Sequence, residues 1–159
     1  MQRLIKIIMI LLVGCFGLLG AGHNLIAFES DIALVSQVVS GAGAHSVAEW
    51  QKIETPVLIW LCWMVIPLAK LATGLLCCAG AARMWTARHA DAEGFQQAKY
   101  LGVAGCGVML AMLFGVFILI AETWFQQWQT ALGAAILPAA HRYMLTIGLL
   151  ALFVNLRDD

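Results

Sequence analysis

Four long apolar runs, at residues 4–28, 56–82, 101–121 and 138–156, alternate with shorter stretches that hold nearly all the charged side chains. A run of about 20 apolar residues is enough to cross the ~30 Å hydrocarbon layer as a helix, so the pattern predicts an all-α membrane protein: a four-transmembrane-helix bundle forming a single domain over 1–159. The second run, Pro56 to Ala82, would extend about 40 Å at ~1.5 Å per residue, longer than the layer requires. It contains Pro67, whose missing N–H frees the carbonyl of Trp63, and one turn later the charge of Lys70.

Between the first two runs, Ile32, Val35 and Val39 recur at helical spacing, which predicts a short amphipathic helix on the membrane surface, ended by Gly41-Ala-Gly43. Ser46-Val-Ala-Glu49 has the form of a capping box and predicts a second short helix carrying Trp50 to the interface before Pro56 opens the next span. Arg83 to Tyr100 reads as a polar loop. After the third run, Trp124, Phe125, Trp128 and Leu132 share one side of a helix, an interfacial segment that Pro138 would end as it opens the last span. Gly107, Ala111 and Gly115 stand four apart, as do Ala69, Thr73, Cys77 and Ala81; both rows predict close helix packing.

Composition sharpens the class. With 62% hydrophobic and 11% charged residues and a mean hydropathy of +0.89, the chain cannot furnish the water-facing surface of a soluble domain. Net charge is zero, so no basic surface argues for a nucleic-acid partner, and none is expected. All five cysteines lie in apolar runs and read as small packing residues, not as disulfides or a metal clip. The first run follows Arg3 and Lys6 and includes a lipoprotein-like Leu12-Val13-Gly14-Cys15, but it stays apolar for two turns beyond Cys15, so it is expected to remain as a span. If both termini face the cytoplasm, Arg3, Lys6, Arg83, Arg88, Lys99 and Arg157 lie inside and only Lys52 and Arg142 outside. The positive-inside rule therefore selects four spans of a bacterial inner membrane with both ends cytoplasmic.

Several stretches resemble a known group: Gly22-His-Asn24 through Val39, Gly80-Ala-Ala-Arg83, Phe95 with Ala98-Lys99, Glu122-Thr-Trp-Phe-Gln-Gln-Trp128-Gln129, and Ala140-His-Arg142-Tyr143. They resemble the bacterial predicted small integral membrane proteins gathered as family 2165 of the domains of unknown function. The resemblance implies a four-span inner-membrane protein and brings no activity with it.

Two constellations are chemically notable. Lys70 is a charge inside a span, where an unpaired cation costs ~2.5–3.5 kcal/mol; none of the nine acids lies within a run to meet it. It could snorkel to the cytoplasmic edge, bond the carbonyl freed by Pro67, or meet a carboxylate of another chain. At the outer face, His23, Asn24, Glu54, Glu122, His141 and Arg142 are expected at one membrane level, chiefly as an ion-paired network of Glu122 or Glu54 with Arg142. A metal or haem would use His23 and His141 from facing helices. No serine or glycine motif points to catalysis, and no cofactor is otherwise expected. The sequence thus reads first as a non-enzymatic structural or accessory subunit, embedded in the lipid bilayer and packing against itself or a larger membrane complex. It reads second as a small transporter or proton conductor using Lys70, and third as a haem-binding electron-transfer subunit.

Overall fold

The computed structural model describes residues 1–158 as helices and short connections. In chain order these are α1 (Gln2–Ile26), α2 (Phe28–Val39), α3 (Pro56–Thr86), α4 (Ala92–Ala98), α5 (Tyr100–Met112), a π-helical continuation of α5 (Leu113–Trp124), and α6 (Ala131–Asn155). Single 3₁₀ turns occupy Glu49–Gln51 and Gln127–Gln129. Four helical stretches are long and apolar enough to cross a membrane: Gln2–Ile26, Pro56–Thr86, Ala92–Trp124 and Ala131–Asn155. Their outward surfaces carry Leu19, Leu75, Leu119 and Leu149, all more than half exposed, as lipid contact demands.

Helix α3 is central. It packs most extensively on α1 and next on α5, while α6 leans on α5 and its π continuation and touches α1 only lightly. Glycine sets how closely these axes approach. A Cβ on Gly17 would stand 2.7 Å from the Lys70 carbonyl oxygen, and one on Gly80 would stand 2.3 Å from the Gly102 nitrogen, so both crossings are backbone on backbone. Of the two small-residue rows, Thr73, Cys77 and Ala81 are buried as expected. The other row lies outside: Ala111 is exposed and nothing stands within 4 Å of a Cβ on Gly107 or Gly115, so within the single chain it packs against no helix.

Local chemistry accounts for most boundaries. Gly41 and Gly43 stop α2 by adopting φ +67° and +79°, left-handed values that cost glycine little. The expected box at Ser46 is displaced: the Ala48 N–H donates to the Gln51 side chain at 2.9 Å, closing only a 3₁₀ turn, and the Ser46 hydroxyl instead accepts from Gln129. The Arg83–Tyr100 loop contains α4, whose first turn is capped by Asp91 accepting from the Gly94 N–H.

The stretch after the third span departs most from expectation. Trp124 to Leu132 is not one interfacial helix, because Gln126 takes a left-handed φ of 51° and turns the chain. Trp50, Trp124 and Trp128 are exposed, whereas Phe125 is buried at 2%. Trp50 and Trp124 meet edge to face at 5.6 Å. The Thr130 hydroxyl then accepts from the Gly133 N–H at 2.9 Å and starts α6, seven residues before Pro138, which is carried inside the helix. His141 and Arg142 are consequently not at the helix start. Arg142 lies about 16 Å along α6 from Ala131, at ~1.5 Å per residue.

Candidate functional site

Lys70 stands near the middle of α3, and its side chain runs back along the helix toward the end of the bundle that carries α2. Its ammonium donates to Asn24 Oδ1 at 2.6 Å, and the Asn24 amide donates in turn to Asp31 Oδ2 at 2.5 Å. Asn24 is in the last turn of α1 and Asp31 in the first turn of α2, so the one-residue junction at Ala27 brings the carboxylate over the amide. Two of the partners expected for Lys70 are not used: the arm points away from the end holding both termini, and among the described residues its acceptor is the neutral Asn24 amide oxygen, not the Trp63 carbonyl.

Beside this relay is a cavity of about 280 Å³, walled mainly by apolar side chains. Helix α3 contributes Cys62, Trp63, Val65, Ile66 and Lys70; α2 covers it with Leu34, Val35, Val38 and Val39; and Val116, Phe117, Ile120 and Ala121 close it from the π segment, with Ile136 from α6. Every one of the four π-segment wall residues lies within the wide-turn stretch, and the ladder there is i→i+5, as in Phe125 N–H to the Ile120 carbonyl. The Trp63 side chain, 3% exposed, meets Phe28 edge to face at 4.8 Å, and its indole N–H has no acceptor among the described residues.

The other residues expected to gather with Asn24 do not form one cluster. His141 Nε2 is 3.8 Å from Glu122 Oε2, too long for a hydrogen bond, while its Nδ1 is 2.9 Å from the Leu137 carbonyl oxygen. Glu122 Oε2 is buried and has no hydrogen-bond donor among the described residues. His23 and Glu54 are exposed, and neither side chain has a polar partner among the described residues. Arg142 makes no ion pair with Glu122 or Glu54. It lies exposed on a groove of about 480 Å³ between α1 and α6, formed by Leu12, Val13, Phe16, Tyr143, Thr146, Ile147 and Leu150. The Phe16 and Tyr143 rings, 5.1 Å apart, fix its level near the middle of α1. No group of three or more His, Cys, Asp or Glu side chains among the described residues is placed to hold a metal ion.

A third polar site, at the end holding both termini, was invisible in the sequence. Lys6 and Lys99, 2% and 1% exposed, both donate to Asp158 Oδ2, at 3.0 and 2.5 Å, and to the Leu156 carbonyl oxygen at 2.6 and 2.7 Å. Burial works to raise the Asp158 carboxyl, and the hydrogen bonds from Lys99 and Lys6 outweigh it, holding the group below the ordinary carboxylate range. The three residues lie far apart in the chain, and no spacing rule links them.

A family model described as "Predicted small integral membrane protein (DUF2165)" matches residues 2–157, nearly the whole chain. The chain belongs to this family. The resemblance read from the sequence is thereby borne out, and with four apolar spans the protein is an integral membrane protein. No curated protein and no solved structure matches it. Membership of DUF2165 places the protein in the membrane and brings no activity with it.

Proposed function

We propose that this protein is a non-enzymatic accessory subunit of a membrane assembly, held in its complex through the outward faces of α5 and α6. The observation that carries this reading is Arg142. A guanidinium about 16 Å inside a spanning helix, exposed and without an ion pair among the described residues, costs ~2.5–3.5 kcal/mol at the helix centre unless it is met. Snorkelling shortens the distance to water but does not remove it. An acidic or carbonyl-rich partner helix meets the charge directly, and the uncovered row of Gly107, Ala111 and Gly115 offers a second surface smooth enough for backbone approach.

Native mass spectrometry of the protein extracted from its own membrane in mild detergent tests the proposal. Additional protein subunits, released by Arg142→Leu while the four-helix fold is retained, are the expected outcome. A bare monomer, or a complex indifferent to both Arg142→Leu and Gly107→Leu, refutes it. A proton-conducting reading draws on the Lys70–Asn24–Asp31 relay, which joins mid-helix α3 to α2. The relay covers only half of a crossing, since beyond Lys70 the path meets the Gly17–Gly74 backbone contact and buried Thr73. Proton flux in liposomes lost on Lys70→Met would favour that reading.

A further inference from the structure

The cavity beside Lys70 is lined by two donors whose N–H groups are not all used. The ammonium carries three N–H groups and uses one, on a neutral amide oxygen. The nearest carboxylate, Asp31, also lines the cavity; its Oδ2 accepts from the Asn24 amide and it does not touch the lysine. The buried indole N–H of Trp63, on the same wall, has no acceptor among the described residues. Every other lining side chain except Asn24, Asp31 and Cys62 is hydrocarbon. The unmet indole N–H costs ~1–3 kcal/mol and the half-buried ammonium keeps N–H groups to offer, so the site is complementary to an oxygen acceptor on an apolar body.

We propose that this cavity binds the carboxylate end of a fatty acyl chain, with the head on Lys70 and the chain along the apolar wall. A carboxylate is favoured over a neutral oxygen because its hydrogen bond to an ammonium is charge-assisted and about twice as strong; Asp31 on the same cavity, tied to the Asn24 amide, is the like charge that this bond must outweigh. Size points the same way. At the ~30 Å³ share of a liquid water molecule, 280 Å³ holds roughly nine water-sized groups, enough for the head and the first part of a chain. The rim residues Val65 and Ile120, 49% and 44% exposed, open on the lipid side, so a longer tail can leave into the bilayer. The site does not depend on any protein partner, and its occupancy is readable in the isolated chain.

The test is photo-labelling of the purified full chain in detergent with a ten-carbon carboxylate carrying a diazirine near its tail, followed by peptide mapping. Labelling is expected on the segments holding Val65 and Phe117 to Ile120, displaced by decanoate but not by decanol or decylamine. Lys70→Met should weaken capture about ten- to hundredfold, the worth of a charge-assisted hydrogen bond. Val116→Trp, which fills the cavity and leaves Lys70 in place, should abolish it, with circular dichroism and thermal unfolding verifying both folds. Labelling that survives both substitutions, or that decanol displaces as well as decanoate, overturns the site. Displacement by a decyl-substituted benzoquinone more effective than by decanoate overturns the carboxylate assignment and gives the cavity to a neutral acceptor.

Discussion

Adding one methyl group at Gly80 tests whether the bundle is held by backbone contact between α3 and α5. A Cβ there would sit 2.3 Å from the Gly102 nitrogen and 2.6 Å from its Cα, and backbone cannot swing aside as a side-chain tip can. Restoring an ordinary contact of 3.4 Å requires the helices to part by about 1 Å at that crossing. A gap of ~0.5–1 Å already forfeits a quarter to a half of each neighbouring dispersion contact, and in lipid such packing is the main force between helices. Overpacking of this kind costs ~1–3 kcal/mol, about a 5- to 150-fold change in the folding equilibrium. Gly107→Ala is the matched control: nothing stands within 4 Å, so the methyl meets no atom, and the helix gains up to ~1 kcal/mol of propensity. Reversible unfolding in mixed micelles, with both variants as purified monomers, measures the difference. Gly80→Ala as stable as the parent, or Gly107→Ala losing as much as Gly80→Ala, would show that the helix crossings are wrongly placed.

Other perturbations follow from the polar sites. Asp158→Asn leaves two buried lysines without their carboxylate and should cost ~3–5 kcal/mol at neutral pH, read by the same unfolding assay. Because the folded carboxyl is held below its ordinary value, its contribution is fully present above the unfolded pKa of ~3.9 and is lost as pH falls through the lower folded value. Stability of the parent should therefore fall more steeply below about pH 4 than that of Asp158→Asn; parallel acid limbs would remove the clamp from the account. Gly41→Ala should cost ~1–2 kcal/mol, since it strains φ +67° and places a Cβ 2.9 Å from Val47; an unchanged midpoint would count against the turn. A cysteine at Ser40 should react with an impermeant thiol reagent added outside intact cells and one at Ala92 should not, if both termini are cytoplasmic. The reverse labelling would invert the proposed topology.

How far the sequence reached depended on whether the deciding physics was local. Hydrocarbon leaves the backbone no partner but itself, so a run of about 20 apolar residues becomes a helix whatever its neighbours do, and the four spans were legible from hydropathy alone. The α2 helix and its glycine stop were legible for the same reason, as periodicity and a positive-φ turn are properties of a few adjacent residues. The packing faces were not. A helix in lipid is apolar on its buried and its exposed sides alike, so no stripe distinguished the buried Thr73–Cys77–Ala81 row from the uncovered Gly107–Ala111–Gly115 row. Nor did proline mark a boundary at Pro138, because α6 accommodates it within a longer helix and thereby carries Arg142 away from the end. Lys70 was identifiable as a charge inside a span. That its partner is Asn24, and that Lys6 and Lys99 share Asp158, depends on helices meeting across long stretches of chain, which only the tertiary structure decides.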